Sequence, residues 1–138
     1  MRELRSAGPL PRRTRMAMAA RIVRYYLSVR VAVRRRPLPA LASEIAATPR
    51  RRQTPLPARQ LGWAVDRTLR VGSHRDRCIF NALVLYRLLR EQGDQAELVI
   101  GLPSSPVSKD AHAWVELDGV DVGPPPGRAG HEAMARFA

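Results

Sequence analysis

Apolar residues near the start of the chain recur at intervals of three and four positions, which is the spacing of an amphipathic helix. The run at residues 19–33 follows this spacing and contains Arg21, Arg24 and Arg30. We therefore expect one basic amphipathic helix that ends before Pro37. A helix of this kind either packs on the rest of the protein with its arginines in water, or rests on anionic lipid or on an acidic partner.

Prolines and arginine runs interrupt residues 34–57, so this segment predicts a linker. Proline lacks a backbone donor and disfavours helix in the residue before it, and continuous structure is therefore not expected here. Only the alanine-rich stretch at residues 40–47 is long enough for two helical turns. The pattern divides the chain into a basic helical N-terminal region with its linker, residues 1–54, and an organised domain, residues 55–138.

Two helices are predicted at the start of the second half. Residues 57–70 have the apolar spacing of one amphipathic helix, and Trp63 is expected to lie in the core. Residues 78–90 are apolar on more than one face, so this helix should be buried at the centre of the domain. The run at residues 73–76 resembles a helix start of the S-x-x-D type, and Gly93 is placed to end the central helix in the left-handed conformation.

Short β-rich runs follow at residues 96–102, 111–117 and 120–123. The last two are joined by Asp118-Gly119, which is the signal of a two-residue type I′ hairpin. Residues 131–138 predict one or two further helical turns. Helices followed by a small antiparallel sheet indicate an α+β fold.

The net charge of +12 belongs to one half of the chain. Residues 1–60 hold fifteen arginines against Glu3 and Glu44, a net charge of +13, whereas residues 61–138 carry −1. Clustered positive charge is the footprint of phosphate binding, but no aromatic residues interleave with the arginine runs and no nucleic-acid-binding module is recognisable. We therefore do not expect a nucleic acid as the partner.

Several classes of protein are disfavoured by what the sequence does not contain. It offers neither the roughly 18 uncharged residues of a spanning helix nor the apolar core of a signal peptide. A single cysteine is typical of a reducing compartment, so we expect a soluble, cytoplasmic protein. His74 and His131 have no partners at metal-ligand spacing, and no phosphate loop is present, so we expect no cofactor.

Cys78, the only cysteine, stands at the entrance of the predicted central helix, and His112 opens a later strand. The peptide dipole and the free amide donors of a helix N-terminus favour the thiolate, which is the form that attacks a carbonyl. An imidazole that arrives from another element is the base that such a nucleophile requires. The alternative is a cysteine that fills space in the core as a small hydrophobic residue.

The order of these features resembles the lasso-peptide leader peptidases, which are transglutaminase-like and papain-like cysteine proteases of the kind that processes the microcin J25 precursor. The stretches that carry the resemblance are Arg77-Cys78, residues 82–90, Gly93, residues 96–101, His112-Ala113-Trp114-Val115-Glu116 and Asp118-Gly119. The resemblance is strong over residues 57–125 and extends in outline to the arginine-rich N-terminal portion. The His-Ala-Trp-Val-Glu run alone occurs across transglutaminase-like proteins of several functions.

This resemblance implies a papain-like or transglutaminase-core domain that removes the leader from a lasso precursor peptide. Cys78 matches the nucleophile and His112 matches the base. Two partners are implied besides the precursor, a separate leader-binding protein and an ATP-dependent lasso cyclase. The family has an aspartate twelve residues after the histidine, and that position is Pro124 here. The alternative is therefore a non-catalytic binding or scaffold component of the same maturation complex.

Another group must orient the imidazole if Pro124 cannot. With a two-residue turn, Glu116 would face Asp121 and His112 would face Pro125. Asp121 would then lie about 13 Å along the hairpin from His112, too far to orient the ring directly. Asp110 lies beside the ring rather than across from it, which leaves a backbone carbonyl or a water molecule as a further candidate.

Two more residues share the strand face of His112. Trp114 either walls the cleft or belongs to the core. Glu116 lies further from the base and is expected to pair with an arginine.

Overall fold

Four helices precede a four-stranded antiparallel sheet in a computed structural model, which describes residues 11–51, 55–70, 78–103, 111–125, 127–128 and 130–138. The elements are α1 (Arg12–Arg35), α2 (Leu38–Ala46), α3 (Ala58–Thr68), α4 (Cys78–Glu91), β1 (Ala96–Pro103), β2 (His112–Leu117), β3 (Val120–Gly123) and β4 (His131–Phe137). The strand order is β3-β2-β1-β4. The α+β class predicted from the sequence is confirmed.

The central helix is α4, as its apolar pattern predicts. All of its residues from Asn81 to Tyr86 are buried, as are Leu88 and Leu89. Gly93 follows it with a φ of +92°, a left-handed conformation that glycine adopts without a steric penalty. The helices and one face of the sheet share a single hydrophobic cluster around α4.

The long helix α1 packs on this cluster through Ile22, Tyr25 and Val29. It ends before Pro37 as predicted, although it begins earlier than residue 19. Its arginines at positions 24 and 30 are exposed, whereas Arg21 turns inward toward α4. Of the two settings expected for this helix, the structure shows the first, with one face buried in the protein and most of its charge in water.

The segment predicted as a linker is interrupted by prolines but is hydrogen-bonded to the residues at the end of α4. Within it, α2 buries Leu41, Ala42 and Ile45, so the alanine-rich stretch is helical as expected. The backbone N–H of Arg51 donates to the carbonyl of Glu91 at 2.8 Å. The amide of Gln92 both accepts from the backbone N–H of Leu56 at 3.1 Å and donates to its carbonyl at 2.8 Å. The division of the chain between residues 54 and 55 stays a prediction.

The hairpin of β2 and β3 has the predicted turn, with φ values of +53° at Asp118 and +78° at Gly119. Glu116 faces Asp121 as predicted. The register then shifts, because Val115 pairs with Gly123 rather than with Val122. The predicted pair of His112 with Pro125 is therefore wrong, since a bulge adds one residue to β3 and the strand ends at Gly123.

The last residues of the chain form a strand and not the helical turns that their composition predicts. β4 pairs antiparallel with β1, from Leu98 opposite Phe137 to Pro103 opposite His131. Glutamate, alanine and methionine favour a helix when isolated, but β1 offers an unpaired edge whose backbone groups require partners. The tertiary context therefore overrides a local propensity.

Trp63 was expected in the core, and that prediction is wrong because 56% of the residue is exposed. The buried face of α3 consists of Ala58, Leu61, Gly62 and Val65, and Trp63 lies outside it. At Gly62 the helix approaches β3 so closely that an added Cβ would overlap the carbonyl oxygen of Val122. The smallest residue, not the largest, thus marks the contact between α3 and the sheet.

Candidate active site

Cys78 is the first residue of α4 and is partly exposed. Only four residues separate the end of α4 from the start of β1, and α4 packs on both β1 and β2. α4 is therefore antiparallel to β1 and parallel to β2. This direction places the first residue of α4 at the end of the sheet where β2 begins with His112. The direct approach of the thiol to the imidazole stays a prediction, and residues 73–77, including the predicted helix start, lie outside the described residues.

The imidazole of His112 lies in a group of three rings. Its centroid is 4.9 Å from that of His131 on β4 and 6.3 Å from that of Trp114 on β2. These contacts follow from the strand order, because β1 pairs with β2 on one side and with β4 on the other, and Gly101 faces His112. Adding a Cβ at Gly101 would bring it within 2.6 Å of the Trp114 ring, so glycine leaves space for the indole.

The ring of His112 has two distinct settings at its nitrogens. The main chain of Gly127 is a hydrogen-bond partner of the ring, whereas Nε2 is buried and has no partner among the described residues. In the tautomer with its proton on Nδ1, the lone pair of Nε2 is available, as a general base requires.

The pKa of His112 is lowered from its ordinary value of 6.5 by burial first and by the neighbouring His131 second. The hydrogen bond to Gly127 and the charge of Asp121 act in the opposite direction without offsetting the burial. The imidazole is therefore neutral at pH 7 and able to accept a proton.

Substitution of His131 by asparagine is expected to raise the pKa of His112 toward 6.5, because the repulsion between two imidazolium rings is removed. His131→Arg keeps a positive charge at this position and should leave the pKa of His112 low. An NMR titration of the ring protons measures both. A pKa for His112 that is the same in the asparagine variant and in the wild type would contradict the electrostatic coupling of the two rings.

Trp114 is fully buried and anchors the strand that carries the base. Its Nε1 donates to Glu116 at 2.8 Å, and Arg136 of β4 donates to the other carboxylate oxygen at 2.8 Å. The predicted arginine partner of Glu116 is thus confirmed. Burial alone would raise the pKa of Glu116, but the hydrogen bonds from Arg136 and Trp114 outweigh it and hold the pKa below its ordinary value.

Position 124, where the resemblance led us to expect an aspartate, holds a buried proline. Asp121 is the nearest acid along the described hairpin, and its carboxylate accepts backbone hydrogen bonds from Gly123 and Arg128 instead of binding His112. Asp110 lies outside the described residues. The expectation of a backbone carbonyl on the imidazole agrees with the hydrogen bond to the Gly127 main chain, which raises the pKa of His112 as an acceptor does.

Sequence reasoning missed His131 and Gly127 as neighbours of the base. His131 was considered only as a metal ligand, and its strand was predicted as a helix. The glycines and prolines of residues 123–130 were a signal of a tight loop, but nothing in their spacing shows that the loop returns to the imidazole. Among the described residues, no group of three or more histidine, cysteine or acidic side chains could hold a metal ion.

None of the helices in the described ranges is both long and apolar enough to cross a membrane. Comparison with curated proteins and with solved structures gives no significant match. The sequence profile of the transglutaminase-like superfamily, however, matches residues 22–136, from the middle of α1 to the end of β4. The matched range includes Cys78 at the start of α4 and His112 at the start of β2. The chain therefore belongs to the transglutaminase-like superfamily.

Proposed function

We propose that this protein is a cysteine peptidase that removes the leader peptide from a lasso-peptide precursor. The observation that carries the proposal is the half-buried imidazole of His112, which has the Gly127 main chain as a hydrogen-bond partner and whose Nε2 has no partner in the described part of the chain. It lies at the end of the sheet where α4 begins with its thiol. Members of the superfamily with this pair of residues commonly use them in cysteine protease or acyl-transfer chemistry.

Each group has a defined role in this reaction. The thiol of Cys78 gives its proton to Nε2 of His112, and the thiolate attacks the carbonyl carbon of the scissile peptide bond. The imidazolium then protonates the leaving amine of the core peptide, and the leader remains on Cys78 as a thioester. Water, deprotonated by His112, hydrolyses the thioester and regenerates the thiol. The freed amino group is the one that a separate ATP-dependent cyclase would acylate.

The choice of a lasso precursor as substrate rests on the resemblance of the sequence around the two residues. The apolar helix that follows Cys78, the strand at residues 96–101 and the His112-to-Glu116 run followed by an Asp-Gly turn occur in the order found in leader peptidases. The structure supports this reading to the extent that these stretches form α4, β1, and β2 with its hairpin turn.

A groove between α1 and α3 supports the proposal of a separate leader-binding partner. It has a volume of about 580 Å³, and Met16 and Trp63 line it while remaining 66% and 56% exposed. Arg12, Arg15 and Arg67 also line it and are exposed. A groove lined by apolar side chains and three arginines is complementary to a partner that presents apolar side chains among acidic ones.

Binding of this partner is expected to weaken about tenfold or more when Trp63 is replaced by serine, because an exposed aromatic side chain at an interface is often a main contributor to affinity. It should also weaken between low and high salt, since charge attraction is screened. Leu27→Ser, which changes an exposed apolar residue of α1 that does not line the groove, serves as the control. Isothermal titration with the purified leader-binding protein measures the affinity. Equal affinities of the two variants and no salt dependence would contradict this docking site.

The second candidate function is a non-catalytic scaffold of the same complex. The presence of Pro124, in place of the expected aspartate, favours it. The two functions differ in one result, the appearance of leader and core peptides when the protein, its partner and the precursor are incubated and followed by mass spectrometry. Cleavage at one peptide bond that is lost in His112→Ala supports the peptidase. Binding of the precursor without cleavage under every condition supports the scaffold.

A further inference from the structure

Asp121 lies on β3 and fastens the loop that follows it. One carboxylate oxygen accepts the backbone N–H of Gly123 at 2.8 Å, and the other accepts the backbone N–H of Arg128 at 2.7 Å. Within the loop, the N–H of Gly127 donates to the carbonyl of Pro124 at 2.9 Å. A single side chain thus fixes both ends of a turn whose inner residues include the buried Pro124 and Gly127.

Gly127 is in close contact with this carboxylate. Its φ is +67°, and a Cβ at this position would overlap the carboxylate group of Asp121. The position therefore requires glycine for two reasons, the left-handed backbone and the lack of space. The same residue makes the main-chain hydrogen bond to the ring of His112.

We propose that Asp121 is a positioning residue for the base, and that the Gly127 carbonyl, which Asp121 holds in place, orients His112 instead of an aspartate at position 124. This inference rests on the proposed function, in which His112 is the base. The carboxylate acts through the loop, so its distance from the imidazole along the hairpin is no obstacle. A neutral carbonyl selects the Nδ1–H tautomer as a carboxylate does, but it stabilises the imidazolium less.

The direct test is Asp121→Asn. The amide replaces one acceptor oxygen by an NH2 group, which cannot accept from Gly123 or Arg128. The loop therefore loses one of its two hydrogen bonds to residue 121. We expect kcat for precursor cleavage to fall about a hundredfold with little change in KM, because a small displacement of a catalytic group has an effect of that size. Asp118→Asn, in the exposed turn of the same hairpin, is the matched control and should keep wild-type kinetics.

A titration of His112 by NMR separates positioning from a purely structural role. In Asp121→Asn the pKa of His112 should fall below that of the wild type, since both the Gly127 acceptor and the Asp121 charge raise it. A loss of cleavage with an unchanged His112 titration would overturn the proposal and leave Asp121 as a structural residue. Unchanged cleavage together with an unchanged titration would overturn it as well.

A second variant keeps the proposal testable if Asp121→Asn does not fold. Gly127→Ala places a methyl group where it overlaps the Asp121 carboxylate, so the main chain at residue 127, including its carbonyl, must shift. It is expected to lower kcat and the pKa of His112 in the same direction, and a folded variant with neither change contradicts the proposal. If the wild-type protein does not cleave the precursor, the proposed function fails, whereas the His112 titration in Gly127→Ala, which keeps the charge of Asp121, still decides whether the placement of Gly127 acts on His112.

Discussion

Replacement of Cys78 by alanine is expected to abolish precursor cleavage, with a fall in kcat of about 10⁴-fold or more. The nucleophile forms the covalent intermediate, and no other cysteine is present to replace it. The side chain is partly exposed at the first position of α4, so its loss should leave the fold intact. Mass spectrometry of the leader and core peptides measures the rate, and circular dichroism checks the fold.

The same cysteine offers an internal control on accessibility. Because the chain contains one thiol, iodoacetamide can add a single carboxamidomethyl group, which intact-mass measurement detects. We expect the native protein to be labelled and to lose cleavage in parallel with labelling. Cleavage by Cys78→Ala at the wild-type rate, or labelling only after denaturation, would show that the thiol is a structural residue.

Glu91→Ala is expected to have the largest effect on stability, a loss of about 3–5 kcal/mol in the free energy of unfolding. Glu91 is 2% exposed at the end of α4. Its carboxylate accepts hydrogen bonds from the hydroxyl of Tyr25 at 2.6 Å and from Arg21 at 3.0 Å, and the guanidinium of Arg87 lies 3.6 Å away. Removal of the carboxylate deletes these contacts with two partly buried cations and with the Tyr25 hydroxyl.

Urea unfolding followed by circular dichroism measures this loss. Glu97→Ala is the matched control, because Glu97 also contacts an arginine, Arg136 at 3.3 Å, but its side chain is 43% exposed. A change of less than about 1 kcal/mol is expected there, as for other exposed ion pairs. Equal effects of the two variants would contradict a stabilising role for the buried contacts that Glu91 makes between α1 and α4.

The sequence predicted those elements of the fold whose local pattern agrees with their surroundings. α4 is apolar on nearly every face and is buried, Gly93 ends it as expected, and the Asp118-Gly119 turn has the predicted backbone. In each case the signal is contained within a few neighbouring residues. The local sequence was therefore sufficient to predict these three features.

The errors arose where a distant part of the chain decides the outcome. β4 has a helix-favouring composition but pairs with the edge of β1. Trp63 is exposed because the buried side of α3 is formed by other residues, among them Leu61, Gly62 and Val65. The bulge in β3 adds one residue beyond the Asp121 pair, so His112 does not face Pro125 as predicted. None of these effects leaves a mark within the window of residues from which a helix or strand is predicted.

The candidate site shows the same division. Cys78 and His112 were found because each stands at the beginning of an element with a readable pattern. The ring contact with His131 and the hydrogen bond to the Gly127 main chain depend on the strand order and on a loop that folds back. Position 124 holds a proline, and the Gly127 main chain, not an acid of the described hairpin, is the hydrogen-bond partner of the imidazole.

The most direct test of the account is the trapping of the leader as an acyl group on Cys78. Hydroxylamine added during turnover attacks a thioester and releases the acyl group as a hydroxamate. With precursor, partner protein and hydroxylamine present, mass spectrometry should show the leader hydroxamate in an amount that rises with hydroxylamine concentration. With Cys78→Ala, neither the leader hydroxamate nor the leader carboxylate should form. Cleavage that yields only the leader carboxylate at every hydroxylamine concentration, and that persists in Cys78→Ala, would contradict a thioester mechanism at this site.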